Sequence, residues 1–247
     1  MLEVRGLSIG FGGRILLEKA SFRLAQGGFG VIIGRSGCGK TSLFRGLAGL
    51  VPCREGIVSW KGRPVENLSG LVAFMQQKDL LLPWASLLEN ALLPMRVSGN
   101  VGREDRQQAL DLLHRFGLGG FETALPGQVS GGMKQRCALA RTILSGKEIV
   151  LLDEPLSSLD ALTRSRLQRE LLRLQSEFKR TVLMVTHDVE EALLLADRVF
   201  VLGGTPARID EILALGDPKP RETDLPVIVK NRRLLLEALG GGHTHAA

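Results

Sequence analysis

The stretch "GRSGCGKT", Gly34 to Thr41, follows the apolar run "VII" and opens onto a helix-forming segment. Its glycines let the backbone turn tightly and aim its N–H groups at phosphate oxygens. Gly34, Arg35, Ser36, Gly37, Cys38, Gly39, Lys40, Thr41 and Ser42 are therefore candidate contacts for a nucleotide's phosphates. Lys40 would supply a point charge to the β- and γ-phosphates, and Thr41 a hydroxyl to Mg²⁺. Lys40 and the helix N-terminus beside Cys38 are also expected to lower that thiol's pKa. A second cluster, "IVLLDEPLSSLD", ends four apolar residues in Asp153 and Glu154, where a parallel strand opens into a crevice. Asp153 suits Mg²⁺, and Glu154 suits polarising a water for attack on the γ-phosphate. His187, in "VLMVTHD", ends another apolar run. It reads either as a capping or packing residue or, at the same sheet edge as Asp153, as a γ-phosphate contact. Asp188 and Glu190 read as charges that favour a helix N-terminus.

Two further stretches pose questions. "QVSGGMKQRCALAR" places Ser130, Gly131 and Gly132 before an amphipathic helix, again with free N–H groups suited to an anion. It has no lysine equivalent to Lys40, and taken alone it reads as an ordinary Ser-capped helix. "QKDLLLPWAS" sets four large apolar residues, Leu80, Leu81, Leu82 and Trp84, in a loop beside Pro83. Such a loop is either the lid of a core or a surface for a partner.

These residues need elements to position them. The first third reads as short strands: "LEVRGLSI", "ASFRL", "GFGVII", "GIVSW" and "LVAFM". The middle third carries leucines at helical spacing in "SLLENALLPMRV" and "REDRQQALDLLHRFGL". From Gly132 onward helix and strand alternate, which argues for a largely parallel sheet covered on both faces. An amphipathic segment, "VKNRRLLLEAL", precedes the tail "GGGHTHAA". The His243/His245 pair there reads as a polar terminus rather than a metal site. One α/β domain with a helical insertion accounts for the pattern.

The chain has 247 residues, 44% hydrophobic and 23% charged, the balance of a soluble globular protein. No apolar run approaches the ~18 residues of a membrane-spanning helix, and the N-terminus does not read as a signal peptide. Three scattered cysteines suit reduced thiols in the cytosol. A formal charge of +6 suggests a polyanionic partner without choosing one.

The ordered set "GRSGCGKT", Gln77, "VSGGMKQR", "LLDEP", "SSLD" and "VTHD" resembles the ATPase subunits of ABC transporters from the first strand to about Gly203. The resemblance implies a P-loop NTPase core with a mostly parallel sheet, a small antiparallel β lobe and an inserted helical lobe. On that basis residues 1–77 and 146–215 form the core and β lobe, 78–145 the helical lobe, and 216–247 a C-terminal tail. It implies two copies clamping two ATPs, each between one chain's phosphate loop and the other's Ser130, Gly131 and Gly132. Phe11 would stack on adenine (its alternative is β-lobe packing), and Asp160 would couple the two sites. Gln77, with Gln76 as the alternative in register, would approach Mg²⁺ and the attacking water. "VSGGM" and "SSLD" stand where "LSGGQ" and "SALD" are usual, with the Ser and both Gly intact. "LLPW" is similar to importers of nitrate, sulfonates, taurine and thiamine precursors. There the segment faces two membrane-spanning permease subunits, fed by a separate solute-binding protein. The expected location is cytoplasmic, on the inner face of the membrane, with no nucleic-acid partner. An exporter or lipid-extraction ATPase, or a soluble ABC protein acting on nucleic acid or ribosomes, is the alternative. A P-loop kinase fits "VSGG" and His187 less well.

Overall fold

The structure, a computed structural model, describes residues 1–240; His243 and His245 lie outside the described residues. The N-terminal strands β1 (Leu2–Phe11) and β2 (Arg14–Leu24) form a hairpin, joined later by β4 (Cys53–Trp60) and β5 (Arg63–Val65). These four make an antiparallel sheet in the order β2-β1-β4-β5. Between them in sequence come β3 (Phe29–Gly34) and α1 (Lys40–Leu47).

The second sheet combines β3 with β6 (Val72–Met75), β7 (Ile149–Asp153), β8 (Thr181–Thr186), β9 (Arg198–Gly203) and β10 (Arg208–Ala214). Its order is β10-β9-β3-β8-β7-β6, parallel throughout except for β10 at one edge. Every residue of β3, β7 and β8 is buried, as a parallel strand covered on both faces requires. Alternate residues serve different cores. Val31, Ile33, Val150, Leu152 and Met184 face a helical layer. Ile32, Leu151, Leu183 and Val185 face α1 and the antiparallel sheet. This period of two lets one sheet support two apolar layers.

The helical layer holds α2 (Leu87–Ser98), α3 (Arg103–Arg115), α4 (Gly131–Leu144), α5 (Ala161–Phe178), α6 (Val189–Leu195) and α7 (Pro226–Gly240). Ser86 and Glu89 close a capping box at the start of α2. The three helices α2, α3 and α4 pack on one another, with Leu88, Leu92, Ala109, Leu113 and Ala138 in a shared core.

Sequence reading missed β5 and β10. In β10, "RIDEILA", charges occupy three of seven places and burial never exceeds intermediate. An edge strand of this kind has too weak an apolar signal to stand out. "ASFRL" likewise proves to be only the end of a longer strand, β2.

Candidate nucleotide site

The carboxyl ends of β3, β7 and β8 meet at one edge of the sheet, which brings the segments after them together. After β3 the chain makes the loop from Gly34 into α1. Gly37 and Gly39 take φ of +77° and +107°, values that an L side chain rarely adopts. Gly39 is the N-cap of α1 and offers no side-chain cap, so the first-turn N–H groups of α1 have no side chain competing for them. Lys40 is buried, and its Nζ donates to the carbonyls of Gly34 at 2.7 Å and Arg35 at 2.9 Å. The loop thus bends around its own ammonium group, as a phosphate cradle must. Arg35, Ser36 and Gly37 are exposed, while Cys38, Thr41 and Ser42 are half-buried.

Cys38 corrects the expectation of an acidic thiol. Burial pushes its pKa up, and the opposing field of Lys40 is the smaller effect.

The end of β7 lies against this loop. Thr41 Oγ1 donates to Asp153 Oδ2 at 2.8 Å. Asp153 is buried, and that burial raises its pKa, with the Thr41 hydrogen bond opposing and the neighbouring Glu154 adding to the rise. A hydroxyl and a carboxylate side by side are the hard oxygen donors that Mg²⁺ accepts when phosphates and waters complete its shell. Among the described residues no group of three or more His, Cys, Asp or Glu could hold a metal alone. The Thr41–Asp153 pair therefore fits an ion that arrives with a nucleotide.

Glu154 follows in a left-handed conformation, φ +51°. For a residue with a Cβ this costs on the order of 1–3 kcal/mol and persists only where the surroundings enforce it. Its side chain faces two of the other sequence candidates. Gln77 Nε2 donates to Glu154 Oε2 at 3.4 Å, and His187 Nδ1 stands 3.6 Å from the same oxygen. The second distance is too long for a hydrogen bond. His187 is 60% exposed, so it is not a packing residue, and Gln77 rather than Gln76 meets Glu154. Phe11, at the end of β1, is 49% exposed and does not serve the β-lobe core.

Two candidates stand apart. Ser130 caps α4, its Oγ accepting from Met133 N–H at 3.3 Å, and Gly131 is exposed beside it. Among the described residues no hydrogen bond ties Ser130, Gly131 or Gly132 to the phosphate loop of the same chain. A Cβ on Gly132 would come within 3.2 Å of Leu159 Cδ2, so glycine allows α4 to press against the loop before α5. Asp160 caps α5, and the amide and hydroxyl of Thr163 hold its carboxyl below the usual aspartate range.

Sequence reading overlooked three residues. Gln135, Asn90 and Arg141 are polar side chains on otherwise apolar helix faces, and that mismatch was the available signal. Asn90 is wholly buried and makes four bonds to the loop at Leu82, Ala85 and Ser86. Arg141 donates to the carbonyls of Asp79 and Leu80. Together they clamp "LLPW" so that Leu81 points inward while Leu80 and Trp84 are 53% and 75% exposed.

Residues 17–157, more than half of the chain, match the ABC transporter family. The chain belongs to that family. It is 38% identical to a taurine import ATP-binding protein of Rhizobium johnstonii, over 85% of this chain and 82% of that one. It is 36% identical to an aliphatic sulfonates import ATP-binding protein of Burkholderia cenocepacia, over 100% of this chain and 90% of the relative. A dimeric ATP-binding cassette solved in a post-hydrolysis state with ADP and Pi superposes with a TM-score of 0.78. It shares 27% identity, covering 88% of this chain and all of that one. ABC transporter ATP-binding proteins are ATP hydrolases, and this chain is a binder and hydrolase of ATP with the cassette fold.

Proposed function

We propose that the protein is the ATPase subunit of a solute importer, working as a homodimer beneath two membrane-spanning permease subunits that receive solute from a separate binding protein. The phosphate loop from Gly34 to Ser42 cradles the triphosphate, with Lys40 as its charge, and Phe11 offers a ring to adenine. Thr41 and Asp153 would hold Mg²⁺ with Gln77 close by, and the ion would supply Lewis-acid stabilisation of phosphate charge. Glu154 accepts the proton of the attacking water as general base. His187 and Gln77, both beside its carboxylate, orient that carboxylate and the γ-phosphate. The observation that carries this reading is the meeting of Gln77, Glu154 and His187 at the sheet edge that also holds Thr41–Asp153.

The half-site at Ser130, Gly131 and Gly132 supports the dimer. It has the donors for a γ-phosphate, lacks a lysine placed as Lys40 is, and suits the nucleotide held by a second copy. Asp160 then stands in the loop between the two sites. In this reading residues 1–77 and 146–215 form the core with its β lobe, 78–145 the helical lobe, and 216–247 a tail.

Import rather than export rests on the names of the relatives and on the clamped, outward-facing Trp84 and Leu80. Among the described residues no helix is long and apolar enough to cross a membrane, so separate subunits would form the channel. The protein would then sit on the cytoplasmic face of the membrane, with no nucleic-acid role. Co-purification with the membrane subunits tests this reading, paired with MgATP-dependent phosphate release in proteoliposomes. Release stimulated by a solute-loaded binding protein is expected; a chain that hydrolyses ATP but captures no permease would overturn the importer assignment.

A further inference from the structure

Gln135 lies in the second turn of α4, 5% exposed, with its amide hydrogen-bonded inside the chain. Its Nε2 donates to the backbone carbonyl of Glu154 at 2.8 Å. Its Oε1 accepts from the amide of Ser158 at 3.2 Å and also from the Ser158 hydroxyl. A single buried side chain therefore joins α4 to the residue after β7 and to the loop that leads to Asp160.

One of the two residues it bonds has a backbone that needs holding. Glu154 sits at φ +51°, where a residue with a Cβ rests only under constraint. Its N–H is tied to Val185 O at 2.9 Å, and its carbonyl takes Gln135 Nε2 and Ser157 Oγ, the latter at 3.0 Å. The Val185 bond is sheet backbone and Ser157 belongs to the same turn. Among the described residues Gln135 is the one side chain from a distant element that holds this backbone. The φ of Glu154 decides where its carboxylate points, and hence whether Oε2 reaches Gln77 and the water.

We infer that Gln135 is a positioning residue for the general base, fixing the left-handed backbone of Glu154 and the loop before Asp160 to the helix that begins at Ser130. This rests on the reading of Glu154 as base. On the dimer reading, α4 carries a nucleotide of the partner's site at its N-terminus and the base of its own site about 7.5 Å further along. Gln135 is buried and its amide is taken up by Glu154 and Ser158, so its loss should act on turnover and leave binding alone.

The test uses the full chain with Gln135→Met, which keeps length and helix propensity but removes the donor and the acceptor. A kcat at least about tenfold lower, with KM for ATP within about twofold, is expected. Unchanged kcat in a folded Gln135→Met protein would overturn the inference. So would a KM that rises in step with a melting loss while kcat holds, because that is the signature of a purely structural amide. Gln135→Glu provides a second measurement that also serves if Gln135→Met does not fold. Its protonated carboxyl restores one donor and one acceptor, so the ratio of variant to wild-type kcat should rise as pH falls; a flat ratio counts against positioning. Glu154→Gln runs beside both. If it retains turnover, the base reading itself fails; if it is inactive while Gln135→Met turns over normally, only the role of Gln135 fails.

Discussion

Two helices of this protein begin at glycine-rich turns suited to phosphate, and they are built differently. α1 begins at Gly39 with no side-chain cap, a buried lysine in its first turn, and Thr41 bonded to Asp153. α4 begins at Ser130, which caps its own helix, and opens with two glycines and no acid in its first turn, its first cation being Lys134 at the fourth position. The first turn of α1 is surrounded by the groups that phosphate chemistry needs. That of α4 offers N–H donors and Lys134 but no buried lysine or acidic partner, and its helix presses through Gly132 and Gln135 onto the loop before Asp160. On the proposed dimer reading, one helix end is the centre of a site and the other the edge of one that a second copy would complete.

The sharpest way to break that contrast is at the centre. Glu154→Gln is expected to lower kcat by about 10²–10⁴-fold. ATP-dependent dimer should accumulate on gel filtration, since a charge facing the γ-phosphate has been removed. Turnover within a few-fold of wild type would show that the acid beside α1 is not the base.

Next in size is a lesion at the edge. Ser130→Arg places a bulky cation where the partner's nucleotide would sit, and loss of donors at such a position costs about 10²–10³ in kcat. Because Ser130 is exposed, the isolated chain should melt almost as before and still bind ATP at its own phosphate loop. Lys40→Ala should instead abolish that binding. Mixing the two variants should recover ATP binding at one intact composite site, read as nucleotide retained on the mixed dimer; none retained would argue that each helix end works alone.

A third test moves to the clamped loop. Trp84→Ala should weaken assembly with the permease by more than about 2 kcal/mol while the isolated chain melts normally. Asn90→Ala should do the reverse, destabilising the chain by about 1–3 kcal/mol through the polar groups it strands. A large melting loss in Trp84→Ala would make the loop a core lid.

The smallest effect concerns Asp153, whose pKa is raised by burial. The folded chain holds that proton more tightly than the unfolded one, so stability falls as pH climbs above the ordinary aspartate value of 3.8 through the raised one. Asp153→Asn should therefore melt higher than wild type at neutral pH, with the gap closing as pH approaches 3.8 in thermal scans without nucleotide.

Much of this was legible in the residues alone. The phosphate loop, the acidic strand end and the histidine strand end each carry a local pattern: glycines at turn positions, or a charge closing an apolar run. Buried parallel strands are apolar throughout, so β3, β7 and β8 stood out, whereas the half-charged edge strand β10 did not. What local pattern cannot contain is distance between remote segments. That Gln77 rather than Gln76 meets Glu154, that Cys38 is made less acidic by burial despite Lys40, and that Leu81 turns in while Trp84 turns out were decided by packing. Gln135 is the clearest case. In sequence it is one glutamine on a helix, and only the closure of α4 against the end of β7 brings its amide to the carbonyl of a residue 19 positions away. The chemistry of each group is a property of its type and its neighbours in the chain, while its partner is a property of the fold, because hydrogen bonds and burial act over a few ångströms that only tertiary structure can bring about.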